Sequence, residues 1–258
     1  GTAFAVDRAA LAAQLGFGDI SQNSIDAVSD RDFAVQFVFD AALCAVHLSR
    51  LAEQMVLFTS AEFGFFTLDD AFATGSSLMP QKKNADIFEL TRGKTGTMLG
   101  VLAGLLATLK GLPSAYDKDL QEDKMAVFQV YDTLTAILPV LTKVIETLKV
   151  NQQKMDAAID PSVYATDVAD VLVKAGIPFR EAHALVGKAV RLAQEQGVGI
   201  NALSIQAWQD IIPKIAIDWQ ALFSAQVSIR TRAVVGGTAP TAVRQQINTA
   251  RRCLVNEK

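Results

Sequence analysis

Cysteine and histidine are scarce: two of each in 258 residues, Cys44 and Cys253, His47 and His183. The cysteines lie far apart and form no CxxC pair, which argues against a disulfide framework and for a reducing, cytoplasmic setting. Without clustered ligand spacing there is no structural zinc site to expect. An excess of charge is missing too. Lys plus Arg is 24 and Asp plus Glu is 27, a net charge of -3, without the basic surplus of a nucleic-acid binder. Mean hydropathy is +0.25, so a membrane protein is worth checking. The longest charge-free stretch near the middle, Thr95 to Leu109, falls short of the roughly 20 apolar residues that span a bilayer. The start lacks the basic region and apolar run of a signal peptide, and its first residue is Gly, so the chain reads as an excised or truncated piece. Strand alternation and repeats of 20–50 residues are absent as well.

What is present is helical periodicity. Val127, Tyr131, Leu134, Leu138, Leu141, Ile145 and Leu148 recur at alternating spacings of four and three, one face of a helix, and Val130, Ile137 and Val144 widen it. Pro139 lies inside the pattern, which continues in phase beyond it, so the spacing predicts a kinked long helix over Glu122 to Lys149. Asp32 to Thr59 and Asp86 to Lys110 are apolar around much of their circumference. Three such helices in one chain leave more apolar surface than they can bury on each other, which predicts subunit contacts. Gly96, Gly100 and Gly104 share a face of the second, where a neighbour has room to approach.

After Val150 the units shorten: Ala165 to Ala175, Phe179 to Gln196, Ser204 to Ile211, Trp219 to Phe223 and Thr241 to Cys253, with Pro178 and Pro240 placed for helix starts. The expected organisation is all-α: residues 1–155 belong to a long-helix bundle domain, here incomplete, and residues 156–258 form a small α-helical C-terminal domain.

Two polar loops join the long helices. The first contains Thr74-Gly75-Ser76-Ser77-Leu78-Met79-Pro80-Gln81-Lys82-Lys83-Asn84. It offers hydroxyls, two ammonium groups and an amide just before a helix N-terminus, whose free N–H groups and partial positive charge suit a carboxylate or phosphate. A lysine beside a serine also lowers the hydroxyl pKa. Polar loops are common, so physics alone favours a solvated loop with an Asn helix cap.

The string itself is more specific. GSSLMPQKKN resembles the GSSxMPxKxN signature of the fumarase/aspartase superfamily at every fixed position. Lys83, where other branches place Val or Arg, is similar to the argininosuccinate lyase branch and its delta-crystallin relatives. NSIDAVSDRD at 23–32, KGLPSAYDKDLQEDK at 110–124 and PFREAH at 178–183 support that branch. Ala85 departs from the usual Pro after the signature Asn, which costs little at a first helical turn. A larger departure is that nothing corresponds to the family's N-terminal region with its histidine motif. His47 and His183 do not replace it: a core or interface histidine and a packing or capping residue are the readings for them.

The resemblance implies reversible β-elimination of argininosuccinate to arginine and fumarate, in a homotetramer with shared active sites. It implies no cofactor, no metal, no nucleic acid and no membrane. Ser76 falls on the catalytic serine, as base or as acid, Lys82 on the signature lysine and Asn84 on a substrate-contacting amide. Glu89 falls on the carboxylate that pairs with the family's catalytic histidine; its plain alternative is a surface glutamate facing Arg92 at i+3. Tyr116, Gln121 and Lys124 fall on substrate contacts, and Arg31 on an arginine near the site, with an Asp30–Arg31–Asp32 capping cluster as its alternative. Lys118, Glu122 and Asp123 read as loop and helix-start charges. Another fumarate-releasing lyase, a catalytically silent delta-crystallin-like protein and a bare oligomerisation module are the competing readings.

Overall fold

The computed structural model describes residues 2–212 and 217–256 and is all-α in character. It divides into two compact units, Gly1–Asn151 and Gln152–Lys258.

The first unit is built on three long helices, preceded by the short α1 (Arg8–Leu15) and α2 (Ser24–Ser29). The long ones are α3 (Asp32–Thr59), α4 (Asp86–Leu109) and α5 (Glu122–Thr147). Small residues let α3 come close to its neighbours: Ala34, Ala41, Ala42, Ala45 and Ala52 are all buried. Two core clusters run along the bundle. Val38, Ala41 and Ala45 meet Met98, Leu105, Ala126 and Val130 towards one end. Ala52 meets Leu68, Ala85, Phe88, Leu141 and Val144 towards the other. Residue numbers therefore rise along α3 and α5 and fall along α4, an up-down-up arrangement. Thr95 is buried but satisfied, since its hydroxyl donates to the Ala45 and Thr91 carbonyls at 3.0 Å each.

The periodicity of α5 needs one correction. The seam takes the widening row, with Val130 and Val144 buried and Ile137 packed beside them, together with part of the first row: Leu141 is buried, and Val127, Leu134 and Leu148 pack on the cores. Tyr131, Leu138 and Ile145, from the row first read as the main face, stand exposed. Pro139 sits within an uninterrupted helix, on its outer side. Other apolar side chains of this unit also face outward, among them Phe33 (70% exposed), Leu90 (64%) and Phe128 (59%). The same surplus makes Asp32–Thr59 and Lys118–Thr147 long and apolar enough to cross a membrane by length and composition, a test that core helices also pass. On α4 a Cβ added at Gly93, Gly96, Gly100 or Gly104 meets nothing within 4 Å.

Among the described residues, the one paired strand element, absent from the sequence pattern, is an antiparallel pair, β1 (Phe66–Thr67) and β2 (Lys149–Val150), with Phe66 opposite Val150. Two residues are too short for alternation to register. Neither α1 nor α2 was foreseen, but their ends carry ordinary caps: Asp7 accepts from Ala10 N at 2.9 Å, and Asn23 accepts from Ile25 N and Asp26 N.

The second unit contains α6 (Gln152–Ala157), α7 (Ala165–Lys174), α8 (Phe179–Glu195), α9 (Ile205–Ile211), α10 (Trp219–Leu222), α11 (Ala225–Thr231) and α12 (Pro240–Asn256). Its core gathers Val168, Leu172, Ala182, Val186, Ala189 and Trp208, with Trp208 stacked on Trp219 at 4.2 Å between ring centroids. Arg232 donates to the buried Asp167 carboxylate at 2.7 Å. Pro178 immediately precedes α8 and Pro240 opens α12. Among the described residues His183 makes no capping hydrogen bond, and its packing is limited to a neighbouring ring. It is exposed on α8, its ring 6.2 Å from that of Phe179 one turn earlier. His47 is likewise exposed on α3 and makes no hydrogen bond among the described residues, so it is no core histidine of this chain.

Candidate active site

The signature loop leaves the bundle between a 3-10 turn, Asp70–Phe72, and the start of α4. Its neck is closed by an antiparallel bridge between Thr74 and Asn84, in which Asn84 N donates to Thr74 O at 2.9 Å. The Thr74 hydroxyl donates to the Asp86 carboxylate, and Lys83 pairs with Asp70. Pro80 pre-sets a turn closed by Lys82 N donating to Met79 O at 3.1 Å. The loop is thus a lobe with a stitched base. Asn84 is not the helix cap: Ala85 holds that position and gives no side-chain bond.

Ser76 sits half-buried in this lobe. Its Oγ accepts hydrogen bonds from Leu78 N and Met79 N, both at 3.2 Å. Two N–H donors on one hydroxyl oxygen favour its ionised form. Neither Lys82 nor Lys83 is bonded to Ser76, so the pairing of serine and lysine first considered for this loop is not made within it. The Lys82 side chain is exposed and makes no ion pair or hydrogen bond among the described residues.

Glu89 lies one turn into α4, on the exposed row that continues through Gly93, Gly96 and Gly100. The i+3 partner considered for it is engaged elsewhere, because Arg92 pairs with Glu53 of α3. Glu89 itself has no ion-pair partner among the described residues.

The second group is at the other end of the bundle. Arg31 precedes α3 and donates from Nε to Asp123 Oδ2 at 2.5 Å, and from Nη1 to the Asp30 and Val28 carbonyls. A capping cluster therefore describes Arg31 poorly, although Asp30 Oδ1 does accept from Asp32 N at 3.2 Å. Asp123 is no surface charge of a helix start. It is buried, and it also faces Lys124 Nζ at 3.4 Å. Gln121 donates to the Tyr116 hydroxyl. Tyr116 follows Ala115, whose φ of 79° lies in the left-handed region. A cavity of about 240 Å³ opens here between Arg31, Asp30, Pro113, Ala115 and Leu120.

Ser76, Lys82, Asn84 and Glu89 thus gather at the N-terminal end of α4. Arg31, Tyr116, Gln121 and Lys124 gather near its C-terminal end, and 24 residues of helix separate the groups by about 36 Å. One copy does not bring them together. The residues missed in the sequence are those that hold others in place: Asp70, Thr74, Asp86 and Asp123. Only Asp123 left a signal, seven residues before Val130 and in phase with the buried row of α5.

A family described as Lyase matches residues 1–100, and one described as Argininosuccinate lyase C-terminal matches residues 162–230. The chain is 53% identical over 254 residues to the argininosuccinate lyase of Herpetosiphon aurantiacus and 54% identical to that of Roseiflexus castenholzii, in each case over 98% of its own length and 56% of the relative's. It spans about half the length of the curated relatives it matches. Among solved structures, EDDS lyase in complex with formate superposes with a TM-score of 0.80 at 29% identity, over 98% of this chain and 52% of that one. The 3-carboxy-cis,cis-muconate lactonizing enzyme of Pseudomonas putida superposes at 0.69 and 19% identity, over 85% and 50%, and shares the fold.

Proposed function

The chain belongs to the argininosuccinate lyase family, and from that premise we propose that the complete protein cleaves argininosuccinate reversibly to arginine and fumarate, as a carbon–nitrogen lyase of arginine biosynthesis in the cytoplasm. The observation that carries this reading is the intact GSSLMPQKKN lobe with two N–H groups on Ser76 Oγ. Those donors stabilise a serine alkoxide, which favours Ser76 as the base.

In this reading Ser76 takes a proton from the succinyl carbon next to a carboxylate. The electron pair moves onto that carboxylate as an aci-carboxylate, where Lys82 and Asn84 meet the growing charge. As the pair returns to form the carbon–carbon double bond, the carbon–nitrogen bond breaks. An acid supplied by another polypeptide region, oriented by Glu89, protonates the departing guanidino nitrogen. Lys124 provides a point charge for the remaining carboxylate, while Tyr116, Gln121 and Arg31 hold the substrate. Because the two groups lie at opposite ends of the bundle, the site is assembled between antiparallel copies, which accords with a homotetramer. The chemistry is acid–base and electrostatic throughout.

The test is release of arginine and fumarate from argininosuccinate by the complete protein. Ser76→Ala is expected to lower kcat by at least about 100-fold with substrate affinity within a few fold, the size of an acid–base contribution. Activity above about a hundredth of wild type removes Ser76 from that role. The similarity to EDDS lyase supports a second reading, another fumarate-releasing amine lyase. Fumarate released with an amine other than arginine decides for it.

A further inference from the structure

We propose that Asp70 is a positioning residue for the serine lobe: by holding Lys83 outside it, Asp70 leaves Lys82 as the one ammonium that the lobe presents. This deepens the lyase reading above and rests on it. Two adjacent lysines pose a problem of selection, because both are long and charged and both belong to the loop that carries the serine. The fold resolves it at the lobe's base. Asp70 opens the 3-10 turn Asp70–Phe72, whose preceding residue Asp69 accepts from Ala71 N at 3.0 Å. Leu68 is buried, and Phe72 and Ala73 pack on the same core as Phe88 and Leu141, so the turn is a fixed post on the bundle. From that post Asp70 reaches Lys83.

Lys83 is followed at once by Asn84, whose backbone is held in the bridge to Thr74. Pinning Lys83 to Asp70 therefore fixes the residue that leads into that bridge, and with it the base of the lobe. The Asp70 carboxyl is held below the usual carboxylate range, first by its hydrogen bond from Lys83 and then by the charge of Lys83, with Lys149 of β2 adding to the field. The tie is thus ionic throughout the neutral range. Freed from it, Lys83 competes with Lys82 for the same substrate carboxylate.

The test compares Asp70→Asn, Lys83→Met, the double variant and Asp70→Glu in the complete protein. Two quantities are measured: kinetics of arginine and fumarate formation, and hydrogen exchange of the 74–84 backbone. Asp70→Asn is expected to lower kcat by about two- to fivefold, the scale of an exposed ion pair, with KM within about twofold, whereas Lys83→Met, which removes the competing ammonium, stays closer to wild type. Exchange in the lobe rises in both while the rest of the bundle is unchanged. The double variant is no worse than either single one, and Asp70→Glu restores both readouts. Wild-type kcat and exchange in Asp70→Asn overturn the proposal, as does a double variant that loses the product of the single effects. If the wild-type protein shows no turnover, the lyase reading falls, and exchange alone then decides whether Asp70 holds the lobe.

Discussion

Asp123 and Arg31 show how a charge can read as solvated in sequence and be structural in the fold. The carboxylate occupies the first position of the buried row of α5, and the guanidinium reaches it from the residue before α3. Their side chains are 11% and 13% exposed, so little water is left to replace either partner. Asp123→Ala is expected to destabilise the protein by about 2–3 kcal/mol in urea unfolding, because it strands Arg31. Nearby, Ala115 is held at positive φ without being glycine. Ala115→Gly relieves that strain against a larger loss of chain entropy, for a net gain under about 1 kcal/mol, readable as a higher Tm. Asp70 is different again: its depressed carboxyl keeps the tie to Lys83 above the ordinary carboxylate pKa and gives it up as pH falls through the lower, folded value. Protection of the 74–84 amides is therefore expected to hold from neutral pH to about 4 and to fade only below it. The reactive-looking residues were legible because a motif carries them. Asp70, Thr74 and Asp86 were not, since residues that bond across a loop neck leave no period in the sequence.

At the scale of elements, the long helices were legible almost to their ends, because their apolar period persists for 24 residues or more. Which face is buried was less so. In α5 nearly every third or fourth residue is apolar, and two neighbouring rows compete. The sequence contains both, and only the narrow fit against α3 and α4 selects Val130, Leu134, Ile137, Leu141 and Val144 over Tyr131, Leu138 and Ile145. Val130→Ala is expected to cost about 2–3 kcal/mol, from lost burial plus the cavity left at a fully enclosed position. Leu138→Gln, on the outer row, is expected to change the stability of this chain by no more than about 0.5 kcal/mol. In the complete protein the same substitution is expected to weaken any association through that row, which sedimentation measures. The short helices α1 and α2 escaped notice because eight and six residues hold too few turns to establish a period, and caps alone do not announce a helix.

At the scale of the molecule, the separation of the two groups along α4 governs what activity requires. The 258 residues as a single copy are expected to show no turnover, because a single copy leaves Ser76 far from Lys124. The same geometry predicts complementation. A complete protein carrying Ser76→Ala and another carrying Lys124→Ala, each inactive, are expected to regain part of the activity when unfolded and refolded together. Sites then form that draw an intact serine from one copy and an intact lysine from another. Mixed assemblies that stay inactive count against a shared site.

The outward glycines of α4 make the effect of one substitution depend on the company the helix keeps. Each glycine weakens a helix interior by about 1 kcal/mol relative to alanine, and within this chain the space beside each is open. Gly100→Ala should therefore toughen the isolated chain against heat. If a second copy lies against that face, the same methyl group collides with it, and the complete protein loses its partners more readily. A change that strengthens the part and loosens the whole is what selection on the assembly alone would remove, and the opposite signs of the two measurements would locate the contact without a structure of the complex.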